Sequence, residues 1–167
     1  MNPKPIPKRI GAFLLCFALL VGLLPSSALA VDTSHNISQS LLTISQNGNY
    51  TVTGTTTTNN IVVNSDVTAT LILNNVNITG SSTTSGPQSA IDLGAGATLT
   101  LILSDNSTNA LTGGAGGANI AAPGIHVPDD ATLIIQGNGS LSVTGGSSIS
   151  FYGGPGIGGT TDTSGAN

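Results

Sequence analysis

The chain alternates apolar and polar residues in short runs that are separated by turn residues, most clearly over residues 124–146. Three runs lie there, and the apolar positions of each are two residues apart. They are Ile125/Val127, Leu133/Ile135 and Leu141/Val143. Alternation with a period of two predicts a half-buried β-strand. The breaks at 128–130 and 137–139 contain Pro, Asp, Gly and Asn, which favour turns, so the segment predicts three short strands joined by tight corners.

The same three-strand unit recurs about every 30 residues along the chain. Each unit opens with an Ile and most contain an Ala-Thr-Leu triplet. The opening residues are Ile61, Ile91, Ile125 and Ile157, and the triplets begin at Ala69, Ala97 and Ala131. This recurrence predicts an all-β fold, a parallel β-helix with three strands per coil and about three to four coils. Aligning the units on the triplets stacks Leu71, Leu99 and Leu133 inside the coil and leaves an outward stripe of Thr and Ile.

The first 30 residues predict a signal peptide rather than part of the fold. Lys4, Lys8 and Arg9 form a basic region, residues 10–24 an apolar region, and Ala28-Leu29-Ala30 a cleavage site. A membrane anchor is the alternative, which the shortness of the apolar run disfavours. We therefore expect a secreted or cell-surface protein, in which residues 31–60 form an N-terminal lead-in or cap and residues 61–167 the β-helix domain.

Charge restricts the partners of the chain that would remain after cleavage. From residue 31 onwards there is no Lys, Arg, Glu or Cys, and the only acidic residues are seven Asp. A chain without basic residues cannot neutralise phosphates, which excludes nucleic acid and anionic membranes as partners. The abundance of Gly, Ser, Thr and Asn is also compatible with disorder, but the regular aliphatic alternation favours a folded solenoid.

The breaks between strands predict three corners with different roles. One short corner (74–75, 105–106 and 137–138) contains Asn, which tolerates the left-handed conformation of a sharp bend. The other short corner comprises 64–66, 94–96 and 128–130. The third corner has long loops, at 81–90, 115–124 and 147–156. Because these loops would share one side of the coil, they predict the binding face.

Two stretches carry a resemblance to a known family. They are Pro-Gly-Ile-His-Val-Pro, which begins at Pro123, and Ala-Thr-Leu-Ile-Ile-Gln-Gly-Asn-Gly-Ser-Leu-Ser-Val-Thr-Gly-Gly, which begins at Ala131; a related Gly-Gly-Pro-Gly-Ile-Gly-Gly run follows at Gly153. Over residues 61–159 the chain resembles exported Gram-positive surface proteins whose right-handed parallel β-helices are described as carbohydrate-binding domains. The resemblance implies a distant similarity to pectate-lyase β-helices, and some members of the resembled family bind acidic plant polysaccharides or calcium. The chain ends just after a fourth unit opens, so we expect it to be incomplete.

Polysaccharide binding is the leading functional hypothesis. Outward Thr, Ser and Asn side chains would form rows of hydroxyl and amide groups at the strand spacing of roughly 4.8 Å, which suits the repeating hydroxyls of a glycan. Phe151 and Tyr152 lie on the third long loop, where they would either stack on a sugar ring or cover the end of the coil. Asp92 and His126 point outward from the first strands and complete the candidate ligand-binding residues.

Calcium is the candidate cofactor. Asp129 and Asp130 are adjacent, and Asp66 is expected at the same corner two coils away. Carboxylate and carbonyl oxygens are the ligands that calcium prefers. The alternative is that these Asp residues only form turns.

Two further classes remain beside a polysaccharide binder. Lyase chemistry of the pectate-lyase type is excluded by the absence of Arg and Lys after residue 30, and a glycoside hydrolase would depend on Asp92, Asp129, Asp130 and His126. For His126, a solvated surface histidine is favoured over a catalytic one. The third class is a structural or adhesive surface stalk that binds a cell-wall or host-surface partner through its uncharged stripe, with ice binding as a variant.

Overall fold

The computed structural model describes residues 31–83, 86–116, 120–149 and 152–159. These residues form β-strands and no α-helix, which confirms the all-β prediction. The strands are β1 (Val31–Asn36), β2 (Leu42–Ile44), β3 (Gly48–Thr56), β4 (Ile61–Val63), β5 (Thr68–Thr79), β6 (Ser82–Thr83), β7 (Gly86–Pro87), β8 (Ile91–Leu93), β9 (Thr98–Leu103), β10 (Thr108–Thr112), β11 (Ile125–His126), β12 (Thr132–Gly137), β13 (Ser140–Thr144) and β14 (Ile157–Gly158). The predicted signal peptide lies outside the described residues, among which no helix is long and apolar enough to cross a membrane.

Two parallel sheets contain nearly all of these strands. The larger has the order β1-β3-β5-β10-β13, with β9 paired to β5 and β12 paired to β9. The smaller has the order β14-β11-β8-β4-β2, and β6 and β7 form a separate antiparallel pair. From β4 onwards, the strands of the two large sheets therefore pair with the corresponding strands of neighbouring repeat units, and β2 and β3 of the lead-in pair with the first unit. In the first full unit the second and third predicted strands are continuous, as β5.

The smaller sheet has the register that the opening isoleucines predict. Ile61 pairs with Ile91, which pairs with Ile125, which pairs with Ile157. Leu42 of β2 continues this row on the other side of Ile61. The row points into the core, because its members from Leu42 to Ile125 are buried while the residues beside them on the strands face outward.

The larger sheet corrects the alignment on the Ala-Thr-Leu triplets. Leu133 pairs with Leu99 as expected, but Leu99 pairs with Ala69, and Leu71 pairs with Leu101. The prediction that Leu71 stacks on Leu99 is therefore wrong by two residues. A shift of two keeps every side chain on the same face of the strand, so the core is preserved. The outward rows become Thr68/Thr98/Thr132, Thr70/Thr100/Ile134 and Ile72/Ile102/Gln136, and they remain uncharged.

The core consists of inward rows that run from unit to unit. In one row, Tyr50, Leu71 and Leu101 are buried, whereas Ile135 at the end of the row is 41% exposed. Burial falls at Ile135 because, among the described strands, none pairs with β12 on the side away from β9. The stack of neighbouring units is thus what removes these side chains from water.

One inward position is polar. Asn109 is 1% exposed and lies in the row of Val76 and Leu141. Its side-chain oxygen accepts a hydrogen bond from the Val76 backbone N–H at 3.0 Å. Its side-chain nitrogen donates to Ser107 Oγ at 2.9 Å and to the Ser140 carbonyl at 3.1 Å. Asn109 therefore links three successive units through the core.

The short corners have the backbone conformation that their residue types predict. Asn75 and Asn106 have φ values of 56° and 58° and lie at the Asn-rich corner. Asp66, with φ of 61°, has the same conformation at the other short corner. Side chains also join neighbouring units at the Asn-rich corner, where Asn138 donates to Asp105 Oδ1 at 3.0 Å. Asn and Asp are favoured at these positions because they tolerate the left-handed region better than other residues with a side chain.

Candidate functional site

A cavity of about 530 Å³ lies against the outward face of the smaller sheet. We call it the groove. Its floor is the row of Val62, Asp92 and His126, which are paired side by side on β4, β8 and β11. Its remaining lining residues are Leu41, Asn60, Gly86, Pro87, Gln88, Ser89, Ile120, Ala121, Ala122 and Pro123. The groove therefore combines the outward first-strand residues with the first two long loops.

Backbone hydrogen bonds hold the loops of the third corner in a stack. Gly114 donates to the Gln88 carbonyl at 2.8 Å, and Ala122 donates to the Gly114 carbonyl at 3.1 Å. Gly146 in turn donates to the Ala122 carbonyl at 2.8 Å. Glycine is required for such close approach: a Cβ atom on Gly80 would overlap the Gln88 carbonyl oxygen. Contacts between main chains therefore hold the wall loops of the groove against one another.

The main polar feature of the floor is the pair formed by Asp92 and His126. His126 Nδ1 lies 2.6 Å from Asp92 Oδ1. An ionised carboxylate can only accept a hydrogen bond. Nδ1 is therefore the protonated ring nitrogen, and its N–H donates a hydrogen bond to Asp92 Oδ1. The side chains are 24% exposed for His126 and 46% for Asp92, so both remain accessible from the groove. The backbone holds the two side chains next to each other, because His126 of β11 pairs directly with Asp92 of β8 in the sheet.

Apolar groups form much of the rest of the groove. Val62 lies on the floor beside Asp92, Pro87 and Ile120 line the walls, and Leu41, which is exposed, lies at one end. Asn60 and Ser89 are buried polar residues of the lining, and Gln88 Oε1 accepts a hydrogen bond from Ser81 Oγ at 2.7 Å. A volume within roughly 300–1,000 Å³, apolar walls and a few fixed polar groups are typical of small-ligand sites.

Of the two aromatic candidates, Tyr152 does not line the groove. Tyr152 is 87% exposed and is not among the lining residues, and Phe151 lies outside the described residues. The third long loop nevertheless stacks on the second, because Gly124 donates to the Pro155 carbonyl at 3.1 Å. A ligand-binding role for Phe151 and Tyr152 stays a prediction.

The three Asp residues of the predicted calcium site are exposed at one short corner. A complete unit separates Asp66 from Asp129 and Asp130, with Gly96 stacked next to Asp66. In the described part of the chain, no group of three or more His, Cys, Asp and Glu side chains is arranged to hold a metal ion. Calcium binding at this corner stays a prediction.

Sequence reasoning missed the contributions of Asn60, Gln88 and Ile120 to the groove. All three lie shortly before an opening isoleucine, at the end of a connector or long loop. That position could have indicated a place in the groove, because residues that directly precede a strand lie next to the end of that strand. The direction in which each loop folds could not be read from its composition.

Comparison with known proteins gives one match. The model of a family described as "Carbohydrate-binding domain-containing protein" matches residues 38–154, which is more than half of the chain and includes every residue of the groove. A search of curated proteins and a search of solved structures each gave no significant match. The chain belongs to this family of carbohydrate-binding domain-containing proteins.

Proposed function

We propose that the protein is a non-catalytic module that binds polysaccharide in the groove. The observation that carries the proposal is the Asp92–His126 pair, which is hydrogen-bonded at 2.6 Å on the floor of a cavity with apolar walls. A sugar presents hydroxyl groups at its edge and C–H groups on its faces. The pair offers acceptors to the hydroxyl groups, and the apolar side chains cover the C–H groups. The family match supports carbohydrate as the ligand class.

The proposal includes the architecture that presents the groove. Residues 61–167 form a right-handed parallel β-helix with three strands per coil, preceded by a cap over residues 31–60. Parallel pairing between equivalent strands of successive units supports this, as at Ile61, Ile91 and Ile125. Connections between parallel strands of one sheet are almost always right-handed, which gives the direction of winding. In such a coil the groove would extend along the axis, parallel to a bound chain.

The proposal also includes export. Residues 1–30 have the basic region, apolar region and cleavage site of a signal peptide, so the module acts outside the cell, in solution or at the cell surface. A chain without Cys after residue 30 needs no disulfide in that compartment. Detection of a mature N-terminus at Val31 in culture medium or in the wall fraction tests this part.

Affinity gel electrophoresis against a panel of polysaccharides tests the binding function. The protein should be retarded by at least one polymer, and Asp92→Asn and His126→Gln should each weaken the retardation by about tenfold or more, since a hydrogen bond to a charged group contributes about 1.5–3 kcal/mol. Asp105→Asn is the matched control, because it removes the same charge from an exposed corner outside the groove. Equal losses in the control and the groove variants, or no retardation by any polymer, would refute the proposed function.

A further inference from the structure

We infer that the groove selects uncharged glycans and rejects those that carry carboxylates, such as polymers of uronic acids. This inference rests on the proposed function and specifies its ligand class. Three features of the molecule support it: the hydrogen-bonding character of the Asp92–His126 pair, the charge of the chain, and the apolar walls of the groove.

The Asp92–His126 pair presents hydrogen-bond acceptors to a ligand. Asp92 Oδ1 is used by His126 Nδ1 at 2.6 Å, and the second carboxylate oxygen has no side-chain partner among the hydrogen bonds of the described residues. When the imidazole is neutral and carries its proton on Nδ1, its Nε2 atom is also an acceptor. Two neighbouring sugar hydroxyls can donate to these two acceptors. An ionised carboxylate on the ligand has no proton to donate to either.

Charge reinforces this selection. From residue 31 onwards the chain carries seven Asp and no Lys or Arg, so a bound carboxylate would meet no permanent positive charge. Proteins that recognise carboxylates normally supply a lysine or an arginine, and the arginine often forms a bidentate pair with the carboxylate. On the floor of the groove, a ligand carboxylate would lie close to the carboxylate of Asp92, whose side chain is nearly half exposed. Two neighbouring negative charges repel each other, and this repulsion weakens binding of the ligand.

The walls of the groove favour the uncharged ligand for a separate reason. Val62, which pairs with Asp92 in the sheet, lines the groove together with Pro87 and Ile120, and all three contribute apolar surface. Contact with this surface is favourable for the C–H face of a neutral sugar, or for a methyl ester. A carboxylate placed there would lose water without a compensating partner, which is costly.

Matched polymers test the inference. For each neutral polysaccharide that retards the protein, the derivative whose primary hydroxyls have been oxidised to carboxylates is the charged probe, and polygalacturonate is compared with its methyl ester. Affinity should fall at least tenfold on going from the neutral to the charged member of each pair. Asp92→Asn should narrow that ratio by relieving the repulsion, whereas Asp105→Asn should leave it unchanged.

The outcomes separate this inference from the proposed function. Equal or tighter binding of the charged member, in buffer with calcium or with a chelator, overturns the selection for uncharged glycans but leaves polysaccharide binding in place. An unchanged ratio in Asp92→Asn also overturns it, because the carboxylate on the floor would then not be the source of discrimination. Failure of every polymer, neutral or charged, to bind refutes the proposed function itself.

Discussion

Replacing Asn109 by Ala should destabilise the protein strongly, because this one side chain is hydrogen-bonded to two neighbouring repeat units. The substitution leaves the Val76 N–H and the Ser140 carbonyl without the partners that they have at 3.0 and 3.1 Å. The Val76 bond is buried, so water cannot replace the lost partner without opening the core, whereas the bond to Ser140 is only partly buried. An unsatisfied buried polar group costs about 1–3 kcal/mol, and an ordinary hydrogen bond contributes about 0.5–1.5 kcal/mol, so the free energy of unfolding should fall by about 2–4 kcal/mol.

Urea unfolding followed by far-ultraviolet circular dichroism measures this loss. The matched control is Asn77→Ala, because Asn77 is an exposed Asn of the adjacent paired strand and faces outward. Its loss should stay within about 0.5 kcal/mol, as for most surface substitutions. Since domains of this kind are stable by only about 5–15 kcal/mol, the Asn109 variant should be clearly weakened and still measurable.

Asn109→Asp separates the two halves of the interaction. The carboxylate retains an acceptor for Val76 but cannot donate to Ser140 or Ser107, and it buries a charge. We expect the Asp variant to be at least as unstable as the Ala variant at neutral pH. A loss below about 1 kcal/mol in both Asn109 variants would refute the reasoning that this side chain ties three units together.

Three other pairs of substitutions test separate parts of the fold. Leu101→Ala should lower the free energy of unfolding by about 2–5 kcal/mol, as for a fully buried Leu. Ile135→Ala in the same inward row should lower it clearly less, because Ile135 is 41% exposed. Chemical denaturation measures both losses, and equal losses would contradict the stacking of the units. Gly80→Ala should lower both stability, by about 1–3 kcal/mol, and polysaccharide retention, because its Cβ displaces a groove loop. Gly159→Ala is its control, since an added Cβ there meets no atom within 4 Å, and an equal effect on retention would count against the loop argument. Asn106→Ala should cost about 1 kcal/mol more than Asn106→Gly in thermal unfolding, because φ is 58° at that position; no difference would show that the corner relaxes freely.

The smaller sheet was predictable from sequence, whereas the register of the larger one was predictable only in part. Between the first two units, 30 residues separate Ile61 from Ile91 but only 28 separate Ala69 from Ala97. The two markers cannot both be in register, and the hydrogen-bonded ladders follow the isoleucines, with the Thr68↔Thr98 pair keeping the same spacing of 30. Periodicity fixes which face of a strand is buried, but a shift of two residues leaves that face unchanged, so hydrophobicity alone could not choose between the two alignments.

The candidate site was predicted in pieces. The alternation placed Asp92 and His126 outward on adjacent strands, but a solvated histidine was the favoured interpretation. The structure instead gives a hydrogen bond of 2.6 Å on the floor of a groove. The groove itself was not predictable, because it depends on how the loops before Ile91 and Ile125 fold back over the sheet, and Gly-rich loops leave that direction open. Asn109 was missed because an Asn so close to the Asp105-Asn106 corner looks like a corner residue until its partners in other units are known.

The loop stack at the third corner separates the packing of the core from the shape of the ligand-binding surface, which are coupled in most globular domains. The strands contribute one face to the interior and the other to the groove floor, while the groove walls come from loops that are joined to each other by main-chain bonds. Residues at the loop tips can therefore change identity, and with them the shape of the ligand surface, without altering any inward row. A scaffold of this type can diversify in what it recognises at little cost to folding, and exchanging the two wall segments between related chains is the direct way to engineer a new preference.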